Sequence, residues 1–246
     1  MKRTVLAAVL VMIPTLLGAQ SLGRKIEGEL SGNAFFGNTR QVLANLRAEY
    51  ERADSGYAFR AQSRFGYGQT KTDSTTEVTK RSWNVGSNYD WRPFADITPF
   101  IRAGVESSLE SKIDLRYSVG TGTRWNIVRT ERTDVIFSAG VNGEQTTPLT
   151  EPDTAGTTTL ARGTTTLRLR RDFSERVSAT SETTYGPALT ESDDYTIVSV
   201  NTLRMKLARF AALTLSFRDN YDSQAESRGA RTNNDAELML GLLTSF

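Results

Sequence analysis

Cysteine and histidine are both absent from this 246-residue sequence, and proline occurs only six times. Without cysteine, no disulfide and no thiolate metal site can hold the chain together. Without histidine, hydrolytic arrangements that depend on an imidazole base lose their proton acceptor. This bears on membrane-embedded phospholipases, lipid A deacylases and aspartate/histidine proteases. Carboxylate-pair chemistry would have to use residues such as Asp193 and Asp194, but "ESDDY" reads as a solvated loop leading into a strand. The expectation is therefore a protein that is not an enzyme, with no cofactor and no metal.

An excess of one charge is lacking too. The chain carries 30 Lys and Arg against 28 Asp and Glu, and Lys2 and Arg3 account for the difference. Those two residues open "MKRTVLAAVLVMIPTLLGAQ", where a basic start, an apolar run and the small residues Gly18 and Ala19 form the layout of a secretory signal peptide. The expected cut follows Ala19, with Ser21 as the alternative. Pro14 interrupts the apolar run, which is short for the roughly 20 residues of a spanning helix. The expected organisation is a signal peptide over 1–19 and one domain over 20–246. Once the leader is removed the two signs are equal, so the overall balance gives no reason to expect nucleic acid as a partner.

Beyond the leader there is no long apolar run, and mean hydropathy is negative. That excludes helical spans. It leaves open a transmembrane barrel, whose alternating strands average out as polar. Period-two stretches recur over 25–36, 40–52, 57–68, 78–91, 98–108, 113–127, 134–144, 158–171, 176–186, 194–207, 212–222 and 235–246. Most exceed the usual five or six residues of a soluble strand, and they suit the roughly nine to eleven needed to cross a bilayer at a tilt.

The connections sort by parity. Even ones, such as "ADSG", "DFSE" and "ARFA", are short. Odd ones include "GQTKTDSTTE", "QTTPLTEPDTAGTT", "PALTESDD" and "SQAESRGARTNND". Short periplasmic turns and longer extracellular loops are the habit of outer-membrane barrels. The expected fold is all-β, a transmembrane antiparallel up-and-down β-barrel of about 12 strands.

The two faces of each strand ask for different solvents. Strand three sets Tyr57, Phe59, Phe65 and Tyr67 against Arg60, Gln62 and Arg64, and strand eight sets Leu167 and Leu169 against Arg168 and Arg170. In strand four the apolar set runs Trp83, Val85, Ser87, Tyr89, Trp91, with aromatics towards both ends. Tyr57, Trp83, Tyr89, Trp91 and Trp125 are the expected membrane-interface aromatics, because their rings favour a level where one end is wet. Strand ten is less regular, since Ser199 and Asn201 share the parity of Leu203 and Met205. A bulge or a lower membrane boundary would account for it.

Inward positions collect both signs of charge: Arg60, Arg64, Arg102, Arg116, Arg124, Arg168, Arg170, Arg204 and Arg218, with Glu49, Glu106 and Glu182. Two readings stay open. The charges can pair across the lumen and fill it, as the cost of an unpaired charge in a confined interior demands. Alternatively they line a narrow passage in which an excess of Arg at some levels selects small anions.

The chain ends "AELMLGLLTSF", with Leu238, Leu240, Leu242 and Phe246 at alternate positions. This resembles the assembly signal read by the barrel-assembly machinery, although Thr244 stands where an aromatic is often found. Further segments, "GELSGNAFFGNTR" with "LRAEYE", "IDLRYSVGTGTRW", "DDYTIVSVNTLRMKLARFAALTLSFRDNYDS" and "LLTSF", resemble the salt-induced outer membrane protein family. The resemblance implies an outer-membrane barrel in a Gram-negative-type envelope, in contact with its lipids and lipopolysaccharide, and a link to salt or envelope stress. It attaches no catalytic residue.

Overall fold

Long β-branched and aromatic period-two segments with polar punctuation can satisfy their backbone only by pairing, and twelve of them here close on themselves. The computed structural model describes residues 23–35, 39–72, 75–149, 156–191 and 193–245. The expected signal peptide over 1–19 and Phe246 lie outside the described residues. In chain order the strands are β1 (Arg24–Phe35), β2 (Thr39–Ala53), β3 (Tyr57–Thr72), β4 (Thr75–Trp91), β5 (Ile97–Ser108) and β6 (Ile113–Arg129). They continue as β7 (Thr133–Pro148), β8 (Thr158–Asp172), β9 (Val177–Pro187), β10 (Tyr195–Lys206), β11 (Ala211–Asp222) and β12 (Asn234–Ser245). A 3₁₀ turn, Glu226–Arg228, interrupts the last connection.

Each strand pairs with its sequence neighbours, and β12 closes the barrel on β1, with Glu27 opposite Ser245 and Gly32 opposite Leu240. Closure removes both edges, so no strand is left as a template for aggregation. The apolar side of the last strand faces outward, where Leu238, Leu240 and Leu242 are each about half exposed. The same outward exposure holds for Phe65, Val85, Trp91, Ile101, Val119, Val141, Leu167, Leu169, Leu203 and Leu215. A continuous apolar outer band over a polar interior is the inverse of a soluble barrel.

The strand bounds match the periodic segments closely, and three expectations are corrected. First, "GQTKTDSTTE" is mostly not a loop, because β3 runs to Thr72 and β4 begins at Thr75, with a register shift between Gly68 and Gln69. Its threonines are β-branched and well suited to extended backbone, so a polar composition hid a strand. Second, β10 contains no bulge, since its pairing to β9 and β11 is unbroken from Thr196 to Met205. Ser199 and Asn201 do face outward, hydrogen-bonded to Thr183 and Ser181 on β9.

The third correction concerns "ESDDY". Asp194 is buried, because Arg162 on β8 reaches it at 2.8 Å, and Ala188 bridges to Arg162 through the backbone. The correction concerns Asp194 alone, since Glu191 and Asp193 are exposed as a solvated loop requires.

Glycine permits close wall packing at one place in particular. Gly122 on β6 and Gly140 on β7 are register partners, and a Cβ on Gly122 would lie 2.3 Å from the Ala139 carbonyl oxygen and 2.8 Å from the Phe100 ring. The inward ring of Phe100 therefore lies on bare backbone.

Candidate functional site in the lumen

Pleating sends every second residue into the barrel, and the inward charges settle at three levels. Near the strand ends that carry the short even-numbered turns, acids and bases are paired. Arg60 on β3 lies 3.2 Å from Glu49 and 3.2 Å from Glu51, both on β2. Arg47 pairs with Glu49 and reaches Glu29 at 3.8 Å. Arg204 on β10 spans to Glu27 on β1 at 3.2 Å, and Lys25 holds the same carboxylate at 3.0 Å. Arg124 donates to Asp90 at 2.5 Å, and its guanidinium and that of Arg102 flank the Phe100 ring at 5.8 and 5.9 Å.

The opposite end is also paired, and here the bonds cross the barrel. Arg116 on β6 is 3.1 Å from Glu106 and 3.8 Å from Asp222 on β11, which stands five strands away around the ring. Asp222 in turn accepts from Arg228 of the 3₁₀ turn at 2.5 Å, while Arg228 Nε donates to the Ser111 carbonyl at 3.4 Å. Lys80 on β4 pairs with Glu237 on β12. To one side, Arg162 is 3 % exposed and is clasped by Glu144 at 2.8 Å and Asp194 at 2.8 Å.

Between these levels the balance fails. Among the described residues Arg64, Arg102 and Arg218 have no carboxylate within the 4.0 Å of an ion pair, and Arg168 meets Glu182 only at 3.9 Å. Arg64 and Arg218 line one cavity of about 270 Å³, shared with Arg47, Lys80 and Arg116. That volume falls just short of the usual small-molecule pocket and suits a small hydrated solute. Five carboxylates, Glu29, Glu106, Asp222, Asp235 and Glu237, line the same cavity, but none forms an ion pair with Arg64 or Arg218, whose guanidinium groups are screened only by water and by charges farther off.

The sequence-predicted lumen residues are therefore not one set. Arg60, Arg116, Arg124, Arg204, Glu49 and Glu106 serve in pairs, whereas Arg64, Arg102, Arg168 and Arg218 occupy the middle. Arg170 stands apart at the strand end, 3.3 Å from Asp172 and half exposed. Asp90, Glu144 and Arg162 were not singled out, yet they share inward parity with recognised neighbours. Asp194 stands at the very edge of the tenth periodic stretch, just before β10, and Arg228 lies in a connection that no periodicity marks.

The aromatics form two clusters on the outer wall. Tyr57 stacks on Tyr89 at 5.7 Å, Tyr89 meets Trp91 at 4.8 Å, and Trp125 packs on Phe137 at 5.6 Å, all beside the short even-numbered turns. Trp83 lies at the middle of β4, opposite Phe65, and the stacked Tyr195 and Tyr221 of β10 and β11 lie towards the other end of the barrel.

Similar folds occur among solved outer-membrane structures. An outer membrane channel from Pseudomonas putida F1 superposes with a TM-score of 0.53 at 9% identity, covering 92% of this chain and 96% of that one. The translocator domain of the autotransporter NalP from Neisseria meningitidis gives 0.50 at 10% identity over 98% and 95% of the two chains. The NanC porin gives 0.50 at 9% over 91% and 98%. At such identities the likeness establishes the fold only. No curated protein matches the sequence. A family model for proteins of unknown function matches residues 28–246, nearly the whole chain, and the protein belongs to that family, DUF481.

Proposed function

We propose that the protein is an outer-membrane channel that passes small anions through an arginine-lined midsection. The observation that carries this reading is the contrast between levels. Charges at both ends are neutralised by partners, whereas Arg64 and Arg218, which line the cavity, and Arg102 are left without an ion pair among the described residues. An unpaired buried charge is costly, and a mobile counter-ion in the lumen offsets that cost. Such a site binds an anion on entry, and the open water around it lets the anion leave. The channels and porins of similar fold support the reading.

The location belongs to the same proposal. The leader over 1–19 would deliver the chain through the inner membrane, and the end pattern Leu238, Leu240, Leu242 and Phe246 would present it to the assembly machinery. Tyr57, Trp83, Tyr89, Trp91 and Trp125 would sit at the two interfaces, among lipids and lipopolysaccharide. Membership of the salt-induced type, and induction by salt, stand on the sequence resemblance.

A second reading has its own observation. The bonds from Arg116 through Asp222 to Arg228 cross the extracellular end, and they would hold shut a barrel that serves structure only. Planar-bilayer recording of the refolded protein separates the two. Discrete conductance steps are expected, and a silent bilayer at every salt concentration would leave only the structural barrel.

A further inference from the structure

The outer wall carries a polar patch on β9, β10 and β11. Ser199 stands between Thr183 on one side and Asp219 on the other, and Asn201 lies one pleat below, beside Ser181. All five share the parity of the lipid-facing set. Apolar residues surround them, with Leu203, Leu215 and Phe217 below and Ile197 above, each at least a third exposed.

The hydrogen bonds within the patch leave specific groups unused. Ser181 donates to the Asn201 carbonyl at 2.7 Å, Asn201 donates to Ser199 at 3.2 Å, and Ser199 shares a 3.2 Å bond with Thr183. An amide has two N–H donors and each hydroxyl only one. Asn201 already donates to Ser199, so with Ser199 donating to Thr183 the Thr183 proton and one Asn201 proton have no acceptor among the described residues. Asp219 accepts no hydrogen bond among the described residues. Hydrocarbon offers it none, and a carboxylate left there is expensive.

We propose that this patch is the contact between two copies of the chain in the membrane, related by a twofold axis along the bilayer normal. The proposal rests on the outer wall facing hydrocarbon, and it is independent of what the lumen carries. Two barrels inserted with the same sidedness can be related by such an axis. Rotation about β10 exchanges the two edges of the patch, so the acceptor edge on β11 of one copy meets the hydroxyl edge on β9 of the other. The surface is thus complementary to itself, as an isologous contact requires.

Because the chain has no cysteine, S199C introduces a single thiol. The barrel is refolded into phosphatidylcholine vesicles and oxidised, with V85C as control on β4, six strands away on the opposite wall. The expected result is a disulfide-linked dimer several-fold more abundant for S199C than for V85C. In detergent, sedimentation should show a dimer that becomes a monomer in the double variant N201L/D219L, whose barrel still shows heat-modifiable migration. Equal cross-linking at the two positions would overturn the proposal. So would protection of the Ser199→Cys thiol from a soluble maleimide that occurs only when lipopolysaccharide is added, because a lipid would then be the occupant. Vesicles that fail to carry the barrel on flotation would overturn the membrane reading itself.

Discussion

Arg162 shows what a single residue does in a confined polar interior. It is 3 % exposed, and its guanidinium is shared between Glu144 and Asp194. Removing it would strand the buried Asp194 carboxylate and the partly buried one of Glu144. Arg162→Ala is therefore expected to destabilise the barrel by about 3–5 kcal/mol, whereas Arg170→Ala, losing a solvated bond to Asp172, should cost less than about 1 kcal/mol. Urea titration of the refolded variants checks both values. The difference was only half legible in the sequence. Arg162 has the inward parity of Arg168, but its partner Asp194 stands at the very start of the tenth periodic stretch, beside the exposed Asp193, where a carboxylate reads as part of a solvated loop.

At the scale of elements, the strands were legible because hydrocarbon on one side and a polar lumen on the other impose a strict period of two. The β12 pattern is the clearest case, and Leu240 sits between Gly32 of β1 and Leu215 of β11 at the barrel seam. Leu240→Arg places a charge in the middle of the outer band and should lower stability by about 2–4 kcal/mol, read from the urea midpoint in bilayers. Where composition conflicts with periodicity, the sequence was less informative. The threonine-rich extension of β3 and β4 looked like a loop because threonine suits both. The polar run in β10 looked like a defect because pairing, and not polarity, decides whether a strand is bulged.

At the scale of the whole molecule, formal neutrality of residues 20–246 conceals a separation of charge by level. Sequence parity placed Arg64, Arg102 and Arg218 inside, but which arginines keep a partner depends on how strands meet across the lumen, and that has no local signature. The end of the barrel that carries the 3₁₀ turn offers a test of passage. Asp222→Asn removes the group that Arg116 and Arg228 share. If these bonds restrict the mouth, the variant should conduct more than the parent in single-channel recordings, with the same ion preference.

The central claim is that the middle of the lumen prefers anions because its arginines lack partners. The zero-current potential of the refolded barrel in a planar bilayer, under a potassium chloride gradient, measures that preference directly. The parent protein should give the sign of an anion-selective channel, and R64A/R218A should move the potential towards zero or beyond. A cation-selective parent, or a potential unmoved by the double substitution, would contradict the account.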